Sequence, residues 1–375
     1  MAKVKIGPYR FWPLTLAYVG LVIVLSLLAY YVRLQSYTQL KLDNPDISFS
    51  SVVVPALELV PNKFFIFPWT LLTEPFVQTS IFEFVLALPV IFFGVEYLES
   101  NWNIRAGGGR QGSVLKTERA FKETAYYLTV VSFLTNISLV LLKSTAVVCG
   151  ITSPETLARP TNYGFFTIVM SFLVVVKQLS PEYNVRIFKV IKFRLKRLPF
   201  IILTLALVLS VAIARSADPF LNPLFVNFYV SWCYLRYYQI NQVAEILPTA
   251  TPGSGSQATQ TVRGDASDTF AFIQFFPDSW HQYLKPVSRF FYHSSVFLGL
   301  FHPFNDDDIE SSNLRTIQRL NKNTTVTSQD ETDRRKRVAL KVLEQRVGKN
   351  TANGANEAAS DNSAAAAPSN PVESK

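Results

Sequence analysis

Six apolar segments, joined by connections that alternate between strongly basic and nearly uncharged, constrain this chain more than any other feature. They cover residues 11–31, 80–98, 124–142, 163–176, 199–214 and 219–235. A helix needs about 20 predominantly apolar residues to cross about 30 Å of hydrocarbon. The first and third segments meet that length alone; the last three are shorter, which suits helices buried among neighbours or a thin early-secretory membrane. A soluble helical protein would carry one such run, not six, and with 49% of residues hydrophobic and 14% aromatic the chain reads as an all-α polytopic membrane protein.

Lysine and arginine in the connections set the expected orientation. Lys3, Lys5 and Arg10 precede the first segment; Arg105, Arg110, Lys116, Arg119 and Lys122 follow the second; Lys177, Arg186, Lys189, Lys192, Arg194, Lys196 and Arg197 follow the fourth. The opposite connections hold only Arg33, Lys41 and Lys63, then Lys143 and Arg159, then Arg215. Both termini are therefore expected in the cytosol, with the surplus behind the net charge of +9 beside anionic headgroups, so membrane lipids rather than nucleic acid are the partners it implies. The first segment is too long for a cleavable signal and is followed by Arg33 and aromatics, which reads as a retained anchor. Cys149 and Cys233 fall on opposite sides and form no disulfide framework.

Residues 42–79 are dense in aromatics and prolines, as in Phe64-Phe65-Ile66-Phe67-Pro68-Trp69. Such a segment is expected in the outer leaflet, with short helices of its own satisfying its backbone and Trp69 as an interfacial anchor. Composition divides the chain into a membrane domain over 1–246, a flexible linker over 247–263, a cytosolic helical region over 264–347 and an Ala/Ser/Asn-rich tail over 348–375. Within the third part, residues 280–301 mix aromatics with Lys285 and Arg289, the pattern of a helix lying on a membrane face. A second helix is expected over 332–347.

Ionisable residues inside the spans are few. Glu83 lies one turn into the second segment and Glu96 and Glu99 lie at its far end. Asn136, Thr167, Ser171, Asn222 and Asn227 are expected to make interhelical hydrogen bonds. No cofactor, metal ligand or catalytic residue is assigned.

The order of a long first helix, an aromatic outer loop with a Trp, a second helix ending Gly94-Val95-Glu96-Tyr97-Leu98-Glu99 and a Gly164-bearing fourth helix resembles the rhomboid six-helix core. Phe67-Pro68-Trp69-Thr70, Val176-Lys177-Gln178, Ser231-Trp232-Cys233-Tyr234-Leu235-Arg236-Tyr237-Tyr238-Gln239, Phe270-Ala271-Phe272 with Phe275-Phe276-Pro277, and Ala339-Leu340-Lys341-Val342-Leu343-Glu344-Gln345-Arg346 are similar to the transmembrane protein 115 family of Golgi rhomboid-like proteins. Rhomboid proteases use a Ser in a Gly-x-Ser-Gly turn on the fourth helix and a His on the sixth, because an unassisted hydroxyl is a poor nucleophile. Here the matching residues are Gly164, Phe166 at the nucleophile position and Thr167 in place of the second Gly, while the oxyanion-supporting positions of the second helix fall near Glu83 and Ala87. His281, His293 and His302 all follow the sixth segment.

The resemblance thus implies a pseudoprotease of the Golgi membrane that cycles through the endoplasmic reticulum, with a part in Golgi organisation and in retrograde, vesicle-mediated transport to the endoplasmic reticulum. Its implied partners are integral membrane proteins, recognised by the bundle, and Golgi tethering or vesicle coat machinery; a second copy of the chain is a further candidate. The partner-binding candidates are Phe270, Phe272, Phe275, Phe276 and Pro277, with Arg334, Arg335, Arg337, Leu340 and Leu343. The alternative reading is a derlin-like pseudoprotease of endoplasmic reticulum quality control.

Overall fold

A computed structural model describes residues 4–6, 9–43, 45–105, 114–180, 184–187, 191–194, 197–214, 220–244 and 259–317. Its helices are α1 (Pro13–Asp43), the single turn α2 (Thr70–Thr73), α3 (Ile81–Arg105), α4 (Val114–Val148), α5 (Phe166–Leu179), α6 (Leu198–Leu209), α7 (Leu221–Cys233) and α8 (His281–Phe297). A last helix covers 306–317. On length and composition α1, α3 over Ile81–Trp102 and α4 over Phe121–Val148 can each cross a membrane, while Phe166–Leu179 and Leu198–Ala212 are shorter apolar helices. α5 packs on α7, α1 on α3, and α4 on α3, α5 and α7, with α6 against α5 and α7. The protein is an all-α membrane bundle.

Local chemistry explains the helix ends. α1 opens with Pro13, whose missing N–H is no loss in a first turn. Its next two amides find a partner far along the chain: Leu14 N and Thr15 N donate to the Glu99 carboxylate at 3.4 and 3.2 Å, and the Thr15 hydroxyl donates to it at 3.2 Å. One carboxylate from the end of α3 thereby caps α1, where the helix dipole favours negative charge. α1 also runs past the apolar segment, since Arg33 on its extension forms a buried ion pair with Glu58. α6 and α7 end in π-helical turns, Ser210–Ala214 and Tyr234–Tyr238.

Three short antiparallel hairpins lie outside the helical bundle: Val4–Ile6 with Tyr9–Phe11, Asn184–Ile187 with Ile191–Arg194, and Ile240–Ala244 with Thr259–Arg263. The third takes up residues 259–263, which composition placed in a flexible linker. The β-branched Thr259, Thr261 and Val262 there suit a strand. The aromatic segment between α1 and α3 carries short helical turns, as expected. These are the 3₁₀ turns Phe49–Ser51 and Glu74–Phe76 on either side of α2. Trp69 is half-exposed there, donating its indole N–H to Ala56 O at 2.8 Å.

Downstream of α7 the chain folds back as a plate across the end of the bundle. Phe270 and Phe275 are each 2% exposed and join the core formed by Phe228, Trp232 and Leu235. Trp232 donates its indole N–H to Phe270 O at 3.1 Å, and Arg236 Nη1 donates to Asp265 O and Ser267 O at 2.8 and 2.6 Å. Gly264 makes this return possible: its φ is +74° and a Cβ there would collide with the carbonyl of Arg236. The described chain up to Thr316 is one compact unit, so the plate shares the core of the helices.

α8 matches the helix expected from 280–301. His281, Leu284, Ser288 and Tyr292 are partly buried at helical spacing, joined near the end of α8 by Ser294, Ser295 and Val296, while Tyr283, Val287, Phe290 and Phe297 are exposed beside Lys285 and Arg289.

Candidate functional site

The residues matching the rhomboid catalytic turn lie at the start of α5. Gly164 adopts φ +49°, which favours glycine, and a Cβ on it would displace the Gln78 side-chain amide. Phe166 stacks on Phe165 at 4.4 Å between ring centroids and meets Phe220 edge-on at 5.6 Å. Thr167 is fully buried and donates its hydroxyl to Gly164 O at 2.8 Å.

The amides that open α5 are taken by two side chains from the segment before α3. Glu74 Oε1 accepts from Tyr163 N at 2.9 Å and Gly164 N at 3.4 Å, with the Thr161 hydroxyl at 2.9 Å. Its other oxygen accepts from Leu59 N at 3.1 Å. Gln78 Oε1 accepts from Phe165 N at 3.3 Å, and its amide nitrogen donates to Pro75 O at 3.0 Å. Ser26 on α1 locks the segment from the other side, donating to Phe76 O at 3.0 Å and accepting from Gln78 N at 3.1 Å. Burial pushes the Glu74 carboxyl above the usual carboxylate range, and the four donors draw it back.

This arrangement determines what the site can do. Stabilising an acyl-transfer oxyanion needs free N–H groups aimed at the developing charge. Here Tyr163, Gly164 and Phe165 already give theirs to Glu74 and Gln78. Glu83 is held within its own turn, accepting from the Thr79 hydroxyl at 3.3 Å, and Ala87 is fully buried in the helical core. Among the described residues no hydrogen bond joins Glu83 to Thr167. The imidazole of His281 bonds to Phe276 O at 3.2 Å, next to Phe275, whose ring touches Lys177. Lys177 lies ten residues along α5 from Thr167, about 15 Å at ~1.5 Å per residue, which sets the His281 imidazole far from the threonine.

The interhelical hydrogen bonds expected in the core are present in part. Asn227 Oδ1 accepts from Ser171 N at 2.8 Å and its Nδ2 donates to the Thr135 hydroxyl at 3.2 Å, tying α7 to α5 and α4. Asn136 Nδ2 donates to Leu71 O at 2.8 Å. Thr167 bonds locally instead.

Of the partner-binding candidates, Phe270 and Phe275 are buried in the plate, and Phe272, Phe276 and Pro277 are half-buried beside them. Phe272 meets Trp232 at 5.1 Å and Phe276 meets Phe200 at 5.9 Å. Arg334, Arg335, Arg337, Leu340 and Leu343, with the helix expected over 332–347, lie outside the described residues. Sequence reasoning passed over Glu74 and Gln78. Glu74 sits in an aromatic loop, and the signal pointing to it is the cost of a carboxylate among apolar neighbours.

A model of the family described as "Eukaryotic integral membrane protein (DUF1751)" matches residues 17–106 and 111–349. The chain is 29% identical over 333 residues to a protein of Saccharomyces cerevisiae named transmembrane protein 115 homolog, covering 87% of this chain and 90% of that one. It is 27% identical over 246 residues to rhomboid-like protein 19 of Arabidopsis thaliana, covering 66% and 68%. No solved structure matches. With the family model spanning most of its length, the chain belongs to the eukaryotic integral membrane protein family DUF1751.

Proposed function

We propose that this protein is a non-catalytic, rhomboid-like component of the Golgi membrane that acts in Golgi organisation and in retrograde vesicle-mediated transport to the endoplasmic reticulum. The observation that carries the non-catalytic half is the occupation of the α5 amides by Glu74 and Gln78, with Phe166 at the nucleophile position. A carboxylate fixed at that point opposes the negative charge an acyl-transfer transition state would build there. The likeness to a transmembrane protein 115 homologue supports the traffic half. In this reading both termini face the cytosol, the bundle recognises integral membrane proteins, and the chain beyond 317 engages tethering or coat machinery.

Burial of Phe270 and Phe275 moves the partner surface toward Arg334, Arg335, Arg337, Leu340 and Leu343. Deleting 265–346 would strip the plate from the core, so the informative variants are a truncation after 317 and charge reversal at Arg334, Arg335 and Arg337. Proximity labelling from the C-terminal end in cells, imaged against Golgi and endoplasmic reticulum markers, should recover Golgi tether and coat components from the parent and lose them from both variants. Predominant labelling of ubiquitin-linked degradation machinery at the endoplasmic reticulum would replace this reading with the derlin-like one.

A further inference from the structure

A cavity of about 1050 Å³ opens between α4 and α7, away from the start of α5. Its long wall is Lys122, Tyr126, Val130, Leu134 and Ser138, the inclined ridge that a spacing of four traces along α4. The opposite wall is Tyr229, Val230, Cys233 and Tyr234 of α7. Polar groups gather at one end. Lys122 and Arg263 are both exposed there, against a single lining carboxylate, Glu123. Trp102 lines the same cavity, and its buried indole N–H has no acceptor among the described residues.

The dimensions select the occupant. From Lys122 to Ser138 is sixteen residues, about 24 Å at ~1.5 Å per residue, close to the ~20–22 Å of one leaflet with its headgroups. Aromatic and aliphatic side chains line most of that length, which suits hydrocarbon chains laid along it. The charge then runs the right way, with cations and an indole donor at the headgroup end and Val130, Leu134 and Val230 beyond them.

We propose that this groove is a binding site for a single diacyl phospholipid with an anionic headgroup, its phosphate held between Lys122 and Arg263 and its chains laid along α4 and α7. Arg263 belongs to the last strand of the third hairpin and lies over the Tyr238 ring at 5.3 Å. The strand pairing thus gives the hairpin a purpose, since it brings a cation from the far side of the 247–263 connection to the mouth of the groove.

The test uses the full-length protein in phosphatidylcholine nanodiscs, with trace phosphatidic acid or phosphatidylcholine carrying a photoactivatable group on one acyl chain, and peptide mapping of the cross-links. The acid probe should label 126–134 and 229–234 several-fold more than the choline probe. Lys122→Gln and Arg263→Gln should each cut that labelling roughly fivefold, the equivalent of about 1 kcal/mol per basic residue near an anionic headgroup. Leu134→Trp, which fills the chain half and leaves both cations, should abolish it. Lys285→Gln on α8 should leave it unchanged. Unfolding midpoints matching the parent establish that each variant is folded. Equal labelling by both probes, labelling indifferent to Leu134→Trp, or the same loss from Lys285→Gln would overturn the proposal in favour of bulk lipid or general surface charge. Cross-linking of the groove to a second polypeptide would overturn it in favour of a helix.

Discussion

Glu74 and Tyr163 are joined across the mouth of the fourth apolar segment: one carboxylate oxygen lies 2.9 Å from the Tyr163 amide, and the same carboxylate holds Gly164, Thr161 and Leu59. Four donors converge on one side chain, so its removal is expected to be costly. Each buried donor left without an acceptor costs about 1–3 kcal/mol, and losses within one network do not add in full. Glu74→Ala should therefore destabilise the bundle by about 3 kcal/mol or more, read as the shift in unfolding midpoint of the detergent-solubilised protein. Glu74→Gln keeps one acceptor oxygen and should lose less.

Burial raises the carboxyls of both Glu74 and Glu58 above their ordinary value, with Arg33 opposing the shift at Glu58. Ionisation is thus harder in the folded protein than in the unfolded one. Between the two pKa values the folded state binds more protons, so stability falls as pH rises. The contribution is fully present below the ordinary glutamate value of 4.5 and is lost as pH climbs through the raised folded values. A thermal melt series rising from pH 4 should show this decline, and Glu74→Gln should flatten it. A midpoint indifferent to pH in the parent would contradict the burial of these carboxyls.

How far such features were legible depends on whether a residue's partner is near it in sequence. The apolar segments are a local property, and so is the helix over 280–301; both were readable. Glu74, Gln78 and Glu99 act on α5 and α1 from distant points of the chain, and nothing in their neighbours announces which amides they cap. The hairpin that delivers Arg263 was hidden in a stretch whose composition reads as linker. The helix over 306–317 did carry a local signal: Asn305 N donates to Asp308 Oδ2 at 3.2 Å, the reciprocal half of a capping box, in an Asn305-Asp306-Asp307-Asp308 run suited to a helix N-terminus. Phe270 and Phe275 illustrate an ambiguity of sequence, since aromatics outside a bundle suit a partner and an internal core equally well until their burial is known.

Gly94 on α3 faces the Phe172 ring on α5, and a Cβ added there would stand 2.6 Å from ring carbons. The two helices approach closely because this position has no side chain. Gly94→Ala should cost about 1–3 kcal/mol through overpacking, measured by the same unfolding assay. Because the obstacle is one side chain rather than backbone, Phe172→Leu in the same chain should recover part of the loss. Absence of any coupling between the two substitutions would mean that the helices separate as a whole.

Lys177 at the end of α5 places its ammonium 3.4 Å from the centroid of the Phe275 ring, and both residues are 2% exposed. A cation over a ring face that is shielded from water is worth about 2 kcal/mol, and the ring adds its own burial. Phe275→Ala should therefore cost about 3–5 kcal/mol, while Phe275→Leu retains much of the volume and loses the attraction to the cation. A cycle of Phe275→Leu with Lys177→Met should return a coupling of about 1–2 kcal/mol. The same variants separate the two roles open to the plate. A residue that serves an external partner can be truncated with little effect on unfolding, whereas one that closes the bundle cannot. If Phe275→Ala left the unfolding midpoint unchanged and only weakened partner recovery, the ring would belong to an interface and its burial against Phe228 and Lys177 would be incidental. The geometry predicts the reverse, with the bundle destabilised first and partner recovery falling only with the amount of folded protein.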